Sequence, residues 1–247
     1  MLSIIPVLIT AITIGMAVNY LADILPTQRK LTAPFCLHCG TQLDSLNYFL
    51  WPRRCPNCQQ RRTIRTWIVE FIMVMIGIWL WIQPIMEINP LLTVLLIAYF
   101  MLVIVVDLEH RLILHPVSVA GGVLCIVIGI QLHGIFPTIY GGAAGTAIMF
   151  GLYMLGRVFV RYLSKTRGEE VGEDALGFGD VILGGVLGLL LGWPGIIAGL
   201  ILAVILAGII SLLYLAAMFV SRRDLRNLTI AYGPYLVVSA FLLVFVL

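Results

Sequence analysis

The sequence predicts an all-α polytopic membrane protein with about eight transmembrane helices. Of its 247 residues, 61% are hydrophobic and only 11% are charged, and the mean hydropathy is +1.08. Soluble domains carry about 25% charged residues, so a chain this apolar has too few polar groups to cover its surface in water. The apolar residues also fall in runs of about 20, the length that a helix needs to cross a bilayer.

Eight apolar runs are separated by two long polar segments and several short turns. The predicted spans are 2–25, 67–86, 91–107, 117–136, 141–160, 180–192, 195–220 and 230–247. The sixth is short, because the apolar run 181–191 before "GWPG" covers only about 16 Å at a helical rise of about 1.5 Å per residue. This span is predicted either to reach half depth or to begin below the membrane surface, and the second arrangement places Asp180 inside the membrane.

The basic residues predict the orientation of the spans. With eight spans, all 15 Lys and Arg fall on one side of the membrane, and the largest group lies in the loop 26–66. The positive-inside rule makes that side the cytoplasm, with both termini outside. The net charge of +3 therefore reflects topology, and we do not expect nucleic-acid binding.

The chain is predicted to have three parts. These are a first transmembrane helix at 1–25, a cytoplasmic loop with four cysteines at 26–66, and a membrane-embedded domain at 67–247. The loop cysteines are Cys36, Cys39, Cys55 and Cys58.

The cysteine pattern C-x2-C-x15-C-x2-C lies within the spacing range of zinc sites. Four thiolates suit tetrahedral Zn²⁺ and complete its coordination shell, so the metal is expected to be structural. A cytoplasmic location argues against disulfides. An iron–sulfur site and a redox pair are the alternatives. His38, between two cysteines, is expected to be a bystander.

Two aspartates are candidates for a shared site at the cytoplasmic ends of their helices. Asp107 ends the third span in "VIVVDLEHRLILHP", and Asp180 begins the sixth in "GFGD". Charges in a membrane are costly and usually functional, so two at one membrane level indicate a site. The alternative is that each is an interfacial residue, since Asp is common at helix starts.

A close pair of carboxyl groups predicts hydrolytic chemistry. Two such groups do not both ionise easily, so they share a proton. The ionised group can take a proton from water while the protonated group donates to a scissile carbonyl. Gly177 and Gly179 lack a Cβ atom and would let another backbone approach. Tight helix packing is the alternative explanation for these glycines.

Several motifs together carry a resemblance along the whole chain. The motifs are G-x-x-x-N in the first span (Gly15, Asn19) followed by "LP", the two CxxC pairs, "RTWIVEF", "VDLEHRLI" at Asp107, "GFGD" at Asp180 and "YGPYLVVSA" in the last span. In this order and spacing they resemble the bacterial type IV prepilin leader peptidases, which are GxGD-type aspartic proteases of the membrane.

The resemblance implies a function and a location. The aspartates that match Asp107 and Asp180 are catalytic in that family. Its substrates are prepilins or pseudopilins, whose short basic leader is cut after a Gly at the cytoplasmic face of the inner membrane. Many members also N-methylate the new terminus with S-adenosylmethionine, an activity assigned to the first cytoplasmic loop.

The chain departs from the family pattern at two positions. A Pro usually follows the first aspartate by about seven residues and is itself followed by an acidic residue. Here Pro116 comes nine residues on, in "HPVS". The Lys that commonly stands two positions after GxGD is replaced by Ile182. Both aspartates are kept, so the departures concern the shape of the site rather than its acids.

Two functions from other classes are also considered. A proton- or ion-coupled transporter would use Asp107 and Asp180 as a relay, but it would need polar residues deeper in the spans, and spans three to seven are almost entirely apolar. A membrane-anchored zinc-binding scaffold of a pilus or secretion machine would use the loop 26–66 to recruit partners. Loss of the loop would abolish a scaffold's function, whereas Asp→Asn changes would leave it intact.

Overall fold

The computed structural model describes residues 4–49, 53–83, 88–167, 177–221 and 231–247. Within these ranges the regular structure is helical, apart from two isolated β-bridges. The helices are α1 (Ile4–Gln28), α2 (Ser45–Phe49), α3 (Ile64–Ile82), α4 (Pro90–His110), α5 (His115–His133), α6 (Ile135–Arg167), α7 (Phe178–Leu191), α8 (Gly195–Ser221) and α9 (Gly233–Phe245). The all-α prediction is confirmed.

Eight of these helices correspond to the eight predicted spans. Six of them, α1, α3, α4, α5, α6 and α8, are long and apolar enough to cross a membrane. The other two, α7 and α9, are shorter apolar helices. The short helix α2 lies in the loop 26–66 and was not predicted. Among the basic residues used for the orientation, Arg222, Arg223 and Arg226 lie outside the described residues.

The bounds of α6 differ most from the prediction, since the helix begins six residues earlier and ends seven residues later. The helix begins at Ile135 rather than at 141, because Gly134 alone makes the turn from α5 with a φ of 83°. Glycine adopts this left-handed backbone at little cost and commonly ends helices. Pro137 falls in the first turn of α6, where its missing N–H has no helical partner to lose.

The chain divides into two compact units. The first comprises residues 1–86 and 97–106, and the second comprises 87–96 and 107–247. The division into three parts at 25 and 66 stays a prediction.

In the first unit, α1 packs along α3. A Cβ atom on Gly15 would lie 3.2 Å from the Cα atom of Glu70, and one on Gly77 would lie 3.1 Å from the Cβ atom of Ala11. Small residues at such contacts let two helices approach closely when lipid provides no hydrophobic drive. The Gly15 of the G-x-x-x-N motif is therefore a packing position.

In the second unit, α7 is the central helix and packs against α5, α6, α8 and α9. Most of its residues are buried, which explains why the helix is apolar on every side. Its closest partner is α6, because a Cβ atom on Gly188 would lie 2.3 Å from the carbonyl oxygen of Gly141, and one on Gly145 would lie 2.4 Å from that of Gly184. Close backbone contact along this seam fixes α7 against α6.

Candidate active site and metal centre

Asp107 lies in the last turn of α4. The helix ends at Arg111, which has a left-handed φ of 52° and donates its backbone N–H to the carbonyl of Asp107 at 2.9 Å. The chain then enters α5 at His115, and Pro116 occupies the first turn, where proline is tolerated. Asp107 itself is only 5% exposed.

Asp180 lies in the first turn of α7, as the third helical residue after Gly177. Its Oδ2 atom accepts a hydrogen bond from the backbone N–H of Gly177 at 3.3 Å. In return the N–H of Asp180 donates to the carbonyl of Gly177 at 3.1 Å. The carboxylate therefore caps the start of the helix, where the helix dipole also favours a negative charge.

The second unit brings the two aspartates together. The carboxyl groups of Asp107 and Asp180 interact electrostatically. Gly233, the first residue of α9, lies between the two helices that carry them. A Cβ atom there would stand 2.5 Å from Oδ2 of Asp107 and 3.6 Å from Cδ2 of Leu183, one turn beyond Asp180. The end of α4 and the starts of α7 and α9 thus converge on one place.

The Asp107 carboxyl group lacks a full set of hydrogen-bond partners among the described residues. The backbone N–H of Gly233 faces it, but its Oδ2 atom has no hydrogen bond of regular geometry within the described ranges of the chain. A buried polar atom without a partner is costly and is often found at functional sites. Tyr232, the residue before Gly233, interacts electrostatically with Asp180.

The two glycines of the GxGD motif have different surroundings. A Cβ atom on Gly179 would lie 2.9 Å from the Cβ atom of Ile113, in the connection between α4 and α5. Gly179 therefore lets this connection pack against α7. A Cβ atom on Gly177 would meet only Oδ2 of Asp180, at 3.4 Å, and Gly177 is exposed. Room for a substrate backbone beside Gly177 stays a prediction.

Two residues of this site were missed as functional candidates by the sequence analysis. Tyr232 and Gly233 lie within "YGPYLVVSA", a motif that by itself gives them no role. The available signal was a Gly-Pro pair at the start of an apolar segment, which indicates a helix start. Nothing in the sequence places that helix start beside Asp107, more than a hundred residues earlier in the chain.

The four loop cysteines form one cluster. Their Sγ atoms all lie within 4.8 Å of one another. The separation is 3.6 Å between Cys36 and Cys58 and 3.5 Å between Cys39 and Cys55. Four sulfur atoms bound at about 2.3 Å around a tetrahedral Zn²⁺ would be about 3.8 Å apart. The cluster fits such an ion, and the exposed His38 is not part of it.

The two CxxC pairs are held by the same backbone arrangement. In the first, the N–H of Gly40 donates to the carbonyl of Cys36 at 2.8 Å, and in the second, the N–H of Gln59 donates to that of Cys55 at 2.9 Å. Gly40 has a φ of 72° and Gln59 a φ of 54°. Each pair is thus a tight turn that presents two thiols on one side. Hydrogen bonds from Thr41 lower the pKa of the Cys39 thiol to about 6.

A buried charge cluster connects the cysteine module, the loop 26–66 that carries the four cysteines, to the end of α1 and the start of α3. Asp23 of α1 pairs with the guanidinium groups of Arg62 and Arg65, which flank the start of α3. Tyr48 of α2 donates its hydroxyl to Asp23, and the guanidinium of Arg62 lies 3.9 Å above its ring. Burial and the nearby carboxylate raise the pKa of Tyr48, so it stays a donor. Asp23 therefore has a structural role in this unit.

Two further contacts explain the remaining polar motif residues of this unit. Glu70 of α3 pairs with Arg53 at 2.9 Å, and both side chains are almost buried. Asn19 donates its side-chain amide to the carbonyl of Thr66 at 3.2 Å. The asparagine of G-x-x-x-N thus joins α1 to the first turn of α3.

Two comparisons with known proteins give matches to this chain. Residues 94–212 match the type IV leader peptidase family. The matched segment is just under half of the 247 residues. It contains Asp107, Asp180 and both glycines of the GxGD motif, whereas Gly233 and the cysteine module lie outside it. The recognised resemblance and the prediction of a peptidase are confirmed by this match.

Three relatives are similar over most of their length, and each carries the name prepilin leader peptidase/N-methyltransferase. The protein of Pectobacterium carotovorum subsp. carotovorum is 23% identical over 94% of this chain and 88% of its own. The protein of Aeromonas salmonicida (strain A449) is 22% identical over 85% of this chain and 68% of its own. The protein of Aeromonas hydrophila is 23% identical over 85% of this chain and 69% of its own. No solved structure matches the chain significantly.

Proposed function

We propose that the protein is an intramembrane aspartic endopeptidase that removes the short basic leader from type IV prepilins or pseudopilins. The observation that carries the proposal is the convergence of Asp107 and Asp180 within one compact unit. The family match over residues 94–212 supports the leader-peptidase activity. The names of the relatives support prepilins as the substrate class.

In this proposal Asp107 and Asp180 are the catalytic residues. The two carboxyl groups are proposed to share a proton, because neighbouring carboxyl groups do not both ionise easily. The ionised group accepts a proton from the attacking water, and the protonated group donates to the scissile carbonyl oxygen. The peptide bond is then hydrolysed without a covalent intermediate. The Oδ2 atom of Asp107, which has no hydrogen bond of regular geometry within the described residues, is available for such a proton transfer.

Sidedness is part of the same proposal. The basic residues favour a cytoplasmic position for the cysteine module and for the pair Asp107 and Asp180, here called the dyad. Both termini would then lie on the outer side of the inner membrane. A substrate helix would then lie with its apolar body in the bilayer and its basic leader in the cytoplasm. Gly177, exposed beside Asp180, is the position at which the substrate backbone is proposed to approach.

The metal of the cysteine cluster is proposed to be a structural zinc ion. Cys36, Cys39, Cys55 and Cys58 supply four sulfur ligands, which complete a tetrahedral shell and leave no open position for substrate. When bound, the ion would hold the two CxxC turns together. Catalysis by the dyad is proposed not to involve it.

Methylation of the new N-terminus is a second candidate activity, favoured by the relatives' shared name. S-adenosylmethionine has a carboxylate and a positively charged sulfonium. The cavity beside the cysteine cluster is lined by five arginines and by Asp23 as the sole carboxylate among its described lining residues. Asp23 is already paired. These residues fit the carboxylate of the cofactor but not its sulfonium, so we derive no step through it.

The peptidase proposal is tested by cleavage of a prepilin-like substrate with purified full-length protein in lipid. Asp107→Asn and Asp180→Asn should each lower the cleavage rate at least about 100-fold, because each removes a group that transfers a proton. Asp44→Asn makes the same chemical change at an exposed position of the cysteine module and should cleave normally. Metal content and thermal unfolding should be equal in all variants.

The outcomes separate the three classes of function. Cleavage retained by either dyad variant would contradict the dyad. Loss of pilus or secretion activity on deletion of 26–66, with full activity in both Asp→Asn variants, would favour the scaffold. Proton uptake by liposomes that depends on Asp107 and Asp180, without cleavage of any prepilin, would favour the transporter.

A further inference from the structure

A cavity in the first compact unit lies between the cysteine cluster and the ends of α1 and α3. Its volume is about 260 Å³, and its lining includes Asp23, Tyr48 and the thiol-bearing Cys36 and Cys55. Five arginines also line it: Arg53, Arg54, Arg61, Arg62 and Arg65. The peptidase proposal gives this cavity no role.

The positive charge of the cavity exceeds what its structural ion pairs neutralise. Arg62 and Arg65 share one carboxylate, that of Asp23. Arg53 pairs with Glu70, which lies outside the lining. With both carboxylates counted against the five arginines, the net charge is +3, and the −2 of four thiolates around a Zn²⁺ ion beside the cavity would leave +1. Such an excess in a concave site attracts anions.

The placement of Arg54 and Arg61 points more directly to a bound anion. They are directly opposite each other across an isolated antiparallel bridge in the second CxxC turn. The equivalent bridge in the first CxxC turn joins Phe35 and Gln42, which are uncharged. Like charges directly opposite each other are destabilising. Neither Arg54 nor Arg61 has an ion pair with a described carboxylate, so an anion between them would relieve the repulsion.

The chemistry and the position of the cavity indicate a phosphate group. Guanidinium groups bind phosphate oxygens through two parallel hydrogen bonds, which favours arginine over lysine at such sites. Asp23 lies near the end of α1 and Arg65 near the start of α3, and both helices are candidate membrane spans. The cavity therefore stands at the level of the lipid headgroups. Leu37, which lines the cavity, is 59% exposed and could contact lipid.

We propose that this cavity is a phosphate-binding site, with Arg54 and Arg61 as its ligands and the headgroup of an anionic phospholipid as its occupant. The bound phosphate joins the cysteine module to the membrane surface, as basic pockets at helix ends bind anionic lipids elsewhere. A soluble phosphate offers the same chemistry. The site is separate from the dyad, so it stands or falls independently of the peptidase proposal.

The test measures the thermal midpoint of full-length protein in neutral detergent. Short-chain phosphatidylglycerol is titrated against phosphatidylcholine, and inorganic phosphate against chloride at equal ionic strength. The double variant Arg54→Gln/Arg61→Gln should weaken binding of phosphatidylglycerol at least about tenfold, because it removes two charge-assisted contacts. Arg29→Gln/Lys30→Gln removes the same charge from the same loop, outside the cavity lining, and should bind normally.

The thermal midpoint measured without any added phosphate compound reports whether the variants are folded. Stabilisation by phosphatidylglycerol alone, dependent on Arg54 and Arg61, supports the lipid as occupant. Equal, arginine-dependent stabilisation by inorganic phosphate supports the phosphate site and assigns it a soluble ligand. Stabilisation that is unchanged in the double variant, or lost equally in the control pair, would overturn the proposal, as would no response to either phosphate compound.

Discussion

Substitution of Gly233 by alanine tests how the dyad is positioned. The added Cβ atom would stand 2.5 Å from Oδ2 and 3.1 Å from Cγ of Asp107. Ordinary contact begins near 3.4 Å, so the carboxyl group or the start of α9 must move by about 0.9 Å. A misplacement of about 1 Å in a catalytic group can cost about 100-fold in rate. We therefore expect Gly233→Ala to lower kcat/KM for prepilin cleavage about 100-fold.

The backbone itself should accept this substitution. Gly233 does not have a positive φ, and alanine is favoured over glycine in a helix by about 0.5–1 kcal/mol. The cost of crowding is about 1–3 kcal/mol, so the folded protein should persist. The loss should therefore appear in cleavage, with the thermal midpoint changed by only a few degrees.

Gly151→Ala is the matched control. Gly151 lies in α6 of the same unit, and a Cβ atom there would have no neighbour within 4 Å. Its cleavage rate should equal that of the wild type. If Gly233→Ala cleaves normally while Asp107→Asn is inactive, Gly233 does not position the carboxyl group. A loss of cleavage that matches a loss of folded protein would likewise refute the positioning argument.

Two further predictions follow from the packing and the metal cluster. Cys36→Ser should lose the bound zinc, as measured by elemental analysis, because the tetrahedral site loses one of its four ligands. Cys125→Ala in α5 should keep the zinc. Equal zinc content in the two variants would contradict the metal centre. Gly188→Ala should lower the free energy of unfolding by about 1–3 kcal/mol, seen as a lower thermal midpoint, because its Cβ atom would meet the backbone of Gly141 at 2.3 Å. Gly208→Ala adds its Cβ atom in open space and should leave the stability unchanged. Equal effects of the two substitutions would argue against close contact between α6 and α7.

Much of the helical architecture could be predicted because each span carries its own signal. A run of apolar residues enters a bilayer whatever its neighbours are, so composition alone places a span. Helix ends were less certain, since they depend on single residues such as Gly134, whose φ of 83° moves the start of α6 to Ile135. The short helix α2 carried no such signal in the sequence.

The candidate site could be predicted only in part for the same reason. Asp107 and Asp180 stand out locally, as carboxylates at the edges of apolar runs. Gly233 does not, because its role depends on the position of α9 beside the end of α4. Gly179 was expected to give room to another backbone, yet a Cβ atom there would meet the side chain of Ile113, whereas one on Gly188 would meet a backbone carbonyl.

By itself, the sequence determined that this chain is a membrane protein, that its loop holds four cysteines at zinc-site spacing, and which two aspartates are candidates for a dyad. These properties depend on residues that are near one another in the chain. Only the tertiary structure decided that α7 is the buried helix of its unit, that Gly233 faces Asp107, and that five arginines line one cavity. Such contacts join distant segments, and close packing between helices selects them rather than any local preference.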